Sequence, residues 1–216
     1  MESAIKQPDG PKWKVALFSG PPENKAITDQ FTGKPEFIIH HAEGPRLLTL
    51  VELKALTLTA QMAGDDLFIL SNTHHQFTAH YTAAYLEAGI SAAQKNNADI
   101  LLGAVNWMES AIQVDQHLFW LDKFLGCQFI VLFRRCYNAL LNIRIDGDNA
   151  EIAIDGVLSS IAANKLLLYP FISPVTEKIP KKNALPGSSP FYGDPTGQLA
   201  SLQHVKEYYS SISTAH

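Results

Sequence analysis

The chain has little cysteine, no long apolar run and no excess of positive charge, and each shortage removes a class of answer. Its two cysteines, Cys127 and Cys136, are too far apart for a CxxC motif and too few for a disulfide framework. Both are expected to be reduced and buried, as suits a cytoplasmic protein. No stretch approaches the roughly 18 apolar residues of a spanning helix. The N-terminus, MESAIKQPDGPKWK, lacks the apolar core of a signal peptide. A formal net charge of −4 provides no basic face, and the pairs Arg134-Arg135 and Lys181-Lys182 read as solvated, so nucleic acid is not an expected partner. Peripheral membrane contact, for instance at the inner face of a membrane, stays open because it needs only a surface patch. Also missing are a G-x-S-x-G elbow, a Cys-His nucleophile signature, a dinucleotide fingerprint and a Walker pattern. Common hydrolases and dehydrogenases are thereby disfavoured.

What is present is enough for a sizeable core: 216 residues, 46% of them hydrophobic and 18% charged. Short apolar runs alternate with stretches of helical spacing. Strands are expected at 15–18, 37–39, 66–70 and 99–104, with helices at 23–31, 47–62 and 79–94 between them. Thr49 and Glu52 make a capping pair for the second helix, and Gly64 stops it. Helices of this length between short strands imply crossovers and a doubly wound, mostly parallel sheet. Residues 105–126 are too irregular to assign. A strand at 128–133, a helix at 135–143, a turn at 145–149, a helix at 150–163 and a strand at 165–169 follow. Residues 13–173 are expected to form a single α/β domain. Residues 174–216 would add a Pro/Gly-rich loop and a terminal helix, 198–211, packing on it.

Four groups could carry chemistry. The run DDLFILSNTHHQFT (65–78) stops its apolar strand at Ser71, Asn72, Thr73, His74 and His75. Ligands of open α/β sheets bind at such carboxyl ends. Adjacent histidines on an extended chain point to opposite faces, so one at most can face a given site. Adding His40, His41 or His80 gives a histidine-metal reading, but the spacing matches no zinc signature and hard-metal carboxylates are missing. Asp155, in IAIDGVLSSIA, shares a helical stripe with Glu151 and Ser159. It is either a solvated residue or a general base able to take a hydroxyl proton. Trp120 and Asp122, within FWLDK, could stack and hydrogen-bond a sugar acceptor, although such aromatics are more often core. Ser19-Gly20-Pro21-Pro22 closes the first strand where a nucleotide could sit.

The segments VALFSG (15–20), VELKALTLTAQ (51–61), DDLFILSNTHH (65–75), ADILLGAV (98–105), CQFIVLFRRCYNALL (127–141) and IDGVLSSIAANKLLLYPFIS (154–173) follow a familiar order. In that order the chain resembles the GT-A-type glycosyltransferases of lipopolysaccharide synthesis and procollagen galactosylation. The resemblance implies a Rossmann-like, GT-A-like α/β fold. It implies transfer of a sugar from a nucleotide-sugar donor to a glycan or glycolipid hydroxyl in polysaccharide biosynthesis. Ser19, Gly20, Asn72, Thr73, His74 and His75 would hold the donor, Trp120 and Asp122 the acceptor, and Asp155 would act as base. One departure is large: Asn72-Thr73-His74 stands where the family carries Glu-Asp-Asp. Those acids hold a divalent cation, Mn or Mg, on the donor diphosphate. Here such an ion would need acidic ligands from outside 71–75. Without it Lys123, Arg134, Arg135 and Lys165 are the cationic substitutes to consider. A catalytically inactive glycosyltransferase-like binding protein is the alternative.

Overall fold

A computed structural model describes residues 13–18, 24–42, 48–72, 74–145, 154–175 and 195–213. Ser19, Gly20 and Thr73 lie outside the described residues, as do the first residues of the helix expected from 150 and most of the Pro/Gly-rich stretch.

Eight strands form one sheet. They are β1 (Trp13–Phe18), β2 (Phe37–Ala42), β3 (Leu67–Asn72), β4 (Ile100–Leu102), β6 (Ala111–Asp115), β7 (Leu118–Leu121), β9 (Phe129–Phe133) and β10 (Lys165–Leu168). Two further strands, β5 (Trp107–Met108) and β8 (Phe124–Leu125), pair with each other. Across the main sheet the order is β2-β1-β3-β9-β4-β10-β7-β6. Parallel pairing of β1 with β2 and β3, and of β4 with β10, gives the sheet its direction, while β9 and β7 run against it. The fold is therefore the expected α/β one, a mostly parallel, Rossmann-like sheet between helices. The four short strands of 107–125 occupy the stretch whose sequence shows no period.

Helices cover both faces. From one side α1 (Asn24–Phe31) and α3 (Ala83–Lys95) bury Ile27, Phe31, Leu86 and Ile90 against Val15, Leu17, Ile69 and Val131. From the other, α2 (Leu50–Ala63), α4 (Arg134–Leu141), α5 (Ile154–Ile161) and α6 (Pro195–Ser213) bury Leu53, Tyr137, Leu158 and Leu199 against Phe68, Leu70, Leu102 and Ile130. Strand alternation sends odd and even positions of each strand to different cores. The central strands read as unbroken apolar runs because both of their faces are covered.

The caps follow the sequence. The Thr49 side chain accepts from Glu52 N at 3.2 Å, and Glu52 Oε2 accepts from Thr49 N at 2.8 Å, closing a capping box on α2. Gly64 ends the same helix at φ 77°, a left-handed conformation. By contrast α3 starts at Ala83, four residues later than its spacing implies. Thr82 caps it, and the preceding residues are drawn away: Thr78 N and Oγ1 donate to the carbonyls of Ile172 and Phe171.

Candidate functional site

The parallel strands β1, β3, β4 and β10 all end at one edge of the sheet, and β9 starts there. At that edge Asn72 N donates to Gln128 O at 3.2 Å. The Asn72 side chain folds forward, its Oδ1 accepting from His74 N at 3.0 Å, and its carbonyl accepts from His75 N at 3.0 Å. This tight turn leaves His74 exposed and Asn72 half-buried.

Asp155 reaches the same place from α5. Its Oδ2 accepts from Gly126 N at 2.7 Å and its Oδ1 from Gly156 N at 2.8 Å. One turn on, Ser159 Oγ accepts from Phe124 N at 3.1 Å. Asp155 and Ser159 of the anticipated stripe thus turn onto backbone N–H groups around β8, while Glu151 lies outside the described residues. Asn72 and Asp155 consequently hold opposite ends of one tripeptide, Gly126-Cys127-Gln128. Gly126 sits at φ 70°, and a Cβ there would lie 2.7 Å from Asn106 Cβ. Only glycine fits that close approach. Cys127 between them donates its Sγ–H to Phe129 O at 3.1 Å, and burial, with the Asp155 charge nearby, pushes its thiol up to about 12. Cys127 is half-buried rather than buried as expected, and its raised pKa keeps it a protonated thiol.

His75 turns away from this edge into the opposite core. It is 1% exposed, with its ring 4.4 Å from that of Phe77, 5.1 Å from Phe129 and 5.5 Å from Phe31. Nδ1 lies 2.9 Å from Ser173 Oγ. Burial, with Lys34 adding to it, lowers its pKa to about 3, so the ring is neutral at physiological pH. Its Nε2 and the nearby Ser71 Oγ are buried without a hydrogen-bond partner.

The structure does not bring the expected acceptor residues to this edge. Trp120 and Asp122 belong to the far end of β7, where Leu121 pairs with Lys165 at the start of β10. Trp120 also packs on the α1/α3 face, whereas Asp155 lies on the other. The reason is strand direction: β7 runs against β10, which carries FWLD toward the amino-terminal edge. The cationic substitutes are displaced as well. Arg134 pairs with Asp66 at 3.5 Å, Arg135 with Asp99 at 3.8 Å and Lys123 with Glu109 at 2.7 Å. Buried Lys165 donates to Ala162 O at 2.8 Å.

A cavity of about 470 Å³ opens at that amino-terminal edge, between Trp13, Lys14, Asp65, Glu87, Ile90 and Gln94. It lies at the opposite end of β1 and β3 from Asn72 and shares no residue with the cluster around Asp155. We place the candidate site at the carboxyl edge, because there side chains from separate elements converge on a common segment.

No family model matches the chain, and no curated protein is similar to it. Among solved structures it is similar to a UDP-glucose pyrophosphorylase in complex with UDP-glucose: 11% identity over 75% of this chain and 74% of that one, TM-score 0.44. A mannose-1-phosphate geranyltransferase from Thermus thermophilus gives 8% identity over 76% and 75%, TM-score 0.43. HddC from Yersinia pseudotuberculosis gives 10% identity over 71% and 68%, TM-score 0.41. Similarity at these scores carries no argument about chemistry, so the site stands on its own geometry.

Proposed function

We propose that the carboxyl edge binds a nucleotide sugar and that the protein transfers the sugar to a hydroxyl of a glycan or glycolipid. The observation that supports this is the shared tripeptide: the polar end of the third strand and the acid of α5 grip Gly126-Cys127-Gln128 from its two ends. Asn72 and His74, with Ser19, Gly20 and Thr73, are the proposed donor contacts. His75 stands behind them as a positioning residue. Asp155 is the proposed base. It accepts the acceptor hydroxyl proton as that oxygen bonds to the anomeric carbon, while the bond to the nucleoside diphosphate breaks and its electron pair leaves with the phosphate.

A divalent cation does not fit the described residues. Asn72 offers a neutral amide oxygen already turned onto His74 N, and no cluster of three or more His, Cys, Asp or Glu gathers anywhere among them. Hard cations are held mainly by carboxylate oxygens, and the carboxylate beside this tripeptide, Asp155, has both oxygens accepting backbone N–H groups. No step is therefore routed through a metal, and the exposed His74 side chain is the proposed donor to the leaving diphosphate.

One observation favours a second reading. Each Asp155 oxygen already accepts a backbone N–H, so the carboxylate also works as a clamp on the Gly126 turn. In a non-catalytic nucleotide-sugar-binding protein that clamp would be its whole role. Calorimetry and transfer assays over a panel of nucleotide sugars test both. Asp155→Asn should leave donor binding in place and cut transfer by about 10²- to 10⁴-fold. Binding without turnover in the unaltered protein selects the second reading, and silence with every donor removes both.

A further inference from the structure

The proposed transfer leaves the cavity at the amino-terminal edge unused. Its volume of about 470 Å³ lies in the range of small-molecule sites. Packing holds it open. Gly89 brings α3 so close to β10 that a Cβ there would collide with the Leu168 side chain, and moving the helix sideways to close the gap would break that approach. The floor is apolar, made by Trp13, Leu67 and Ile90, with Trp13 and Ile90 buried and Leu67 half-buried. Polar groups stand around it. Glu87, Ser91 and Gln94, spaced four and three residues apart, come from one side of α3, while Lys14, Asp65 and Asp66 come from the entries to β1 and β3. Three carboxylates against one ammonium leave this lining negative, and the three acids are not alike. Asp65 is held by Lys14 at 2.6 Å and Asp66 by Arg134 at 3.5 Å. Glu87 has no ion pair among the described residues.

We propose that this cavity is a second ligand site, taking a small organic amine in its protonated form. Charge complementarity decides among the candidates. Phosphates and carboxylates are repelled by the surplus of negative charge. A bare metal ion is not held either, because the acids are spread around the cavity: no cluster of three or more His, Cys, Asp or Glu gathers among the described residues. A cation with an apolar body matches both parts of the lining. Its ammonium pairs with Glu87, the acid that lacks a partner, with Ser91 and Gln94 as neutral acceptors on the same side of α3. Its body covers Trp13, Leu67 and Ile90, which removes apolar surface from water. One partly screened charge pair and a small apolar contact give weak binding, with a dissociation constant of about a millimolar. The site shares no residue with the carboxyl edge, so it stands or falls separately from the transfer proposed there.

Three probes of one shape and different charge test it by NMR titration of the full chain: 2-phenylethylamine, 2-phenylethanol and 3-phenylpropionate. The amine should give saturable shifts at the Trp13 indole and along residues 87–94. The alcohol should bind about fivefold more weakly and the acid not at all. Glu87→Gln should weaken the amine by about the same factor and leave the alcohol unchanged. Ser91→Trp, which fills the cavity from the helix surface, should abolish binding of both with an unchanged circular dichroism spectrum. Nucleotide-sugar binding should be the same in both variants. Equal binding of amine and alcohol, indifference of the amine to Glu87→Gln, shifts centred on residues 72–75, or no saturable response to the amine would each overturn the proposal. So would a neutral sugar that shifts the same amides at lower concentration than the amine.

Discussion

The two edges of the sheet use opposite kinds of chemistry. At the amino-terminal edge charges are plentiful and matched: Lys14 with Asp65, Arg134 with Asp66, Arg135 with Asp99. Asp99 Oδ2 also accepts Ala163 N and Asn164 N at 2.8 and 2.9 Å, tying the entry to β10. The carboxyl edge has the amide of Asn72, the exposed His74 and the carboxylate of Asp155, held largely by backbone N–H groups. Charge density therefore does not mark the edge where the site is proposed. Paired ions at a rim are worth little and mainly set how loops leave the strands. A lone carboxylate fixed by two backbone donors is a built feature.

Breaking the carboxyl edge should cost the most. Gly126→Ala forces a side chain into a left-handed conformation and against Asn106, and should lower stability by about 3 kcal/mol in urea denaturation. It should weaken ligand binding with it, since Asn72 and Asp155 lose their common anchor. Acid is the next lever. His75 holds a pKa of about 3 when folded against the ordinary 6.5, so the unfolded chain binds the extra proton throughout that window. Stability is full above pH 6.5 and is lost as the pH falls toward 3, by about 2 kcal/mol between pH 6 and 4.5. His75→Phe should flatten that stretch of the stability profile. Thr49→Ala, which opens the α2 capping box, should cost about 1 kcal/mol.

Much of this architecture could be read in advance, for reasons that are local. The apolar runs of β1, β3, β9 and β10 and the Thr49/Glu52/Gly64 signals of α2 carry their own instructions. Strand direction does not. FIVLF of β9 is an apolar run that fits either orientation, and only its neighbours β3 and β4 turn it around. The same blindness misplaced Trp120 and Asp122, since β7 also runs backwards. Strands β5 and β8, of two residues each, exist through their pairing and have no period to detect. For Asp155 the spacing gave the stripe with Ser159, while its inward orientation came from the N–H groups of Phe124 and Gly126, distant in sequence. Alternation said that His74 and His75 must part; which of them faced the core was decided by Phe31, Phe77 and Phe129.

The smallest effect is expected at the amino-terminal edge, and its smallness is what tests the contrast. Lys14 Nζ lies 2.6 and 2.8 Å from the two Asp65 oxygens, the tightest ion pair of that edge, with side chains 38% and 20% exposed. Water still reaches both partners, so a double-mutant cycle of Lys14→Met and Asp65→Asn should return a coupling of only about 0.5 kcal/mol, shrinking further in high salt. Nucleotide-sugar binding should be unchanged in both variants, because the pair sits at the opposite end of β1 and β3 from Asn72. A coupling several times larger, or a loss of binding on removing Lys14, would mean that the cavity beside Trp13 belongs to the working part of the molecule and that the two edges are not divided in this way.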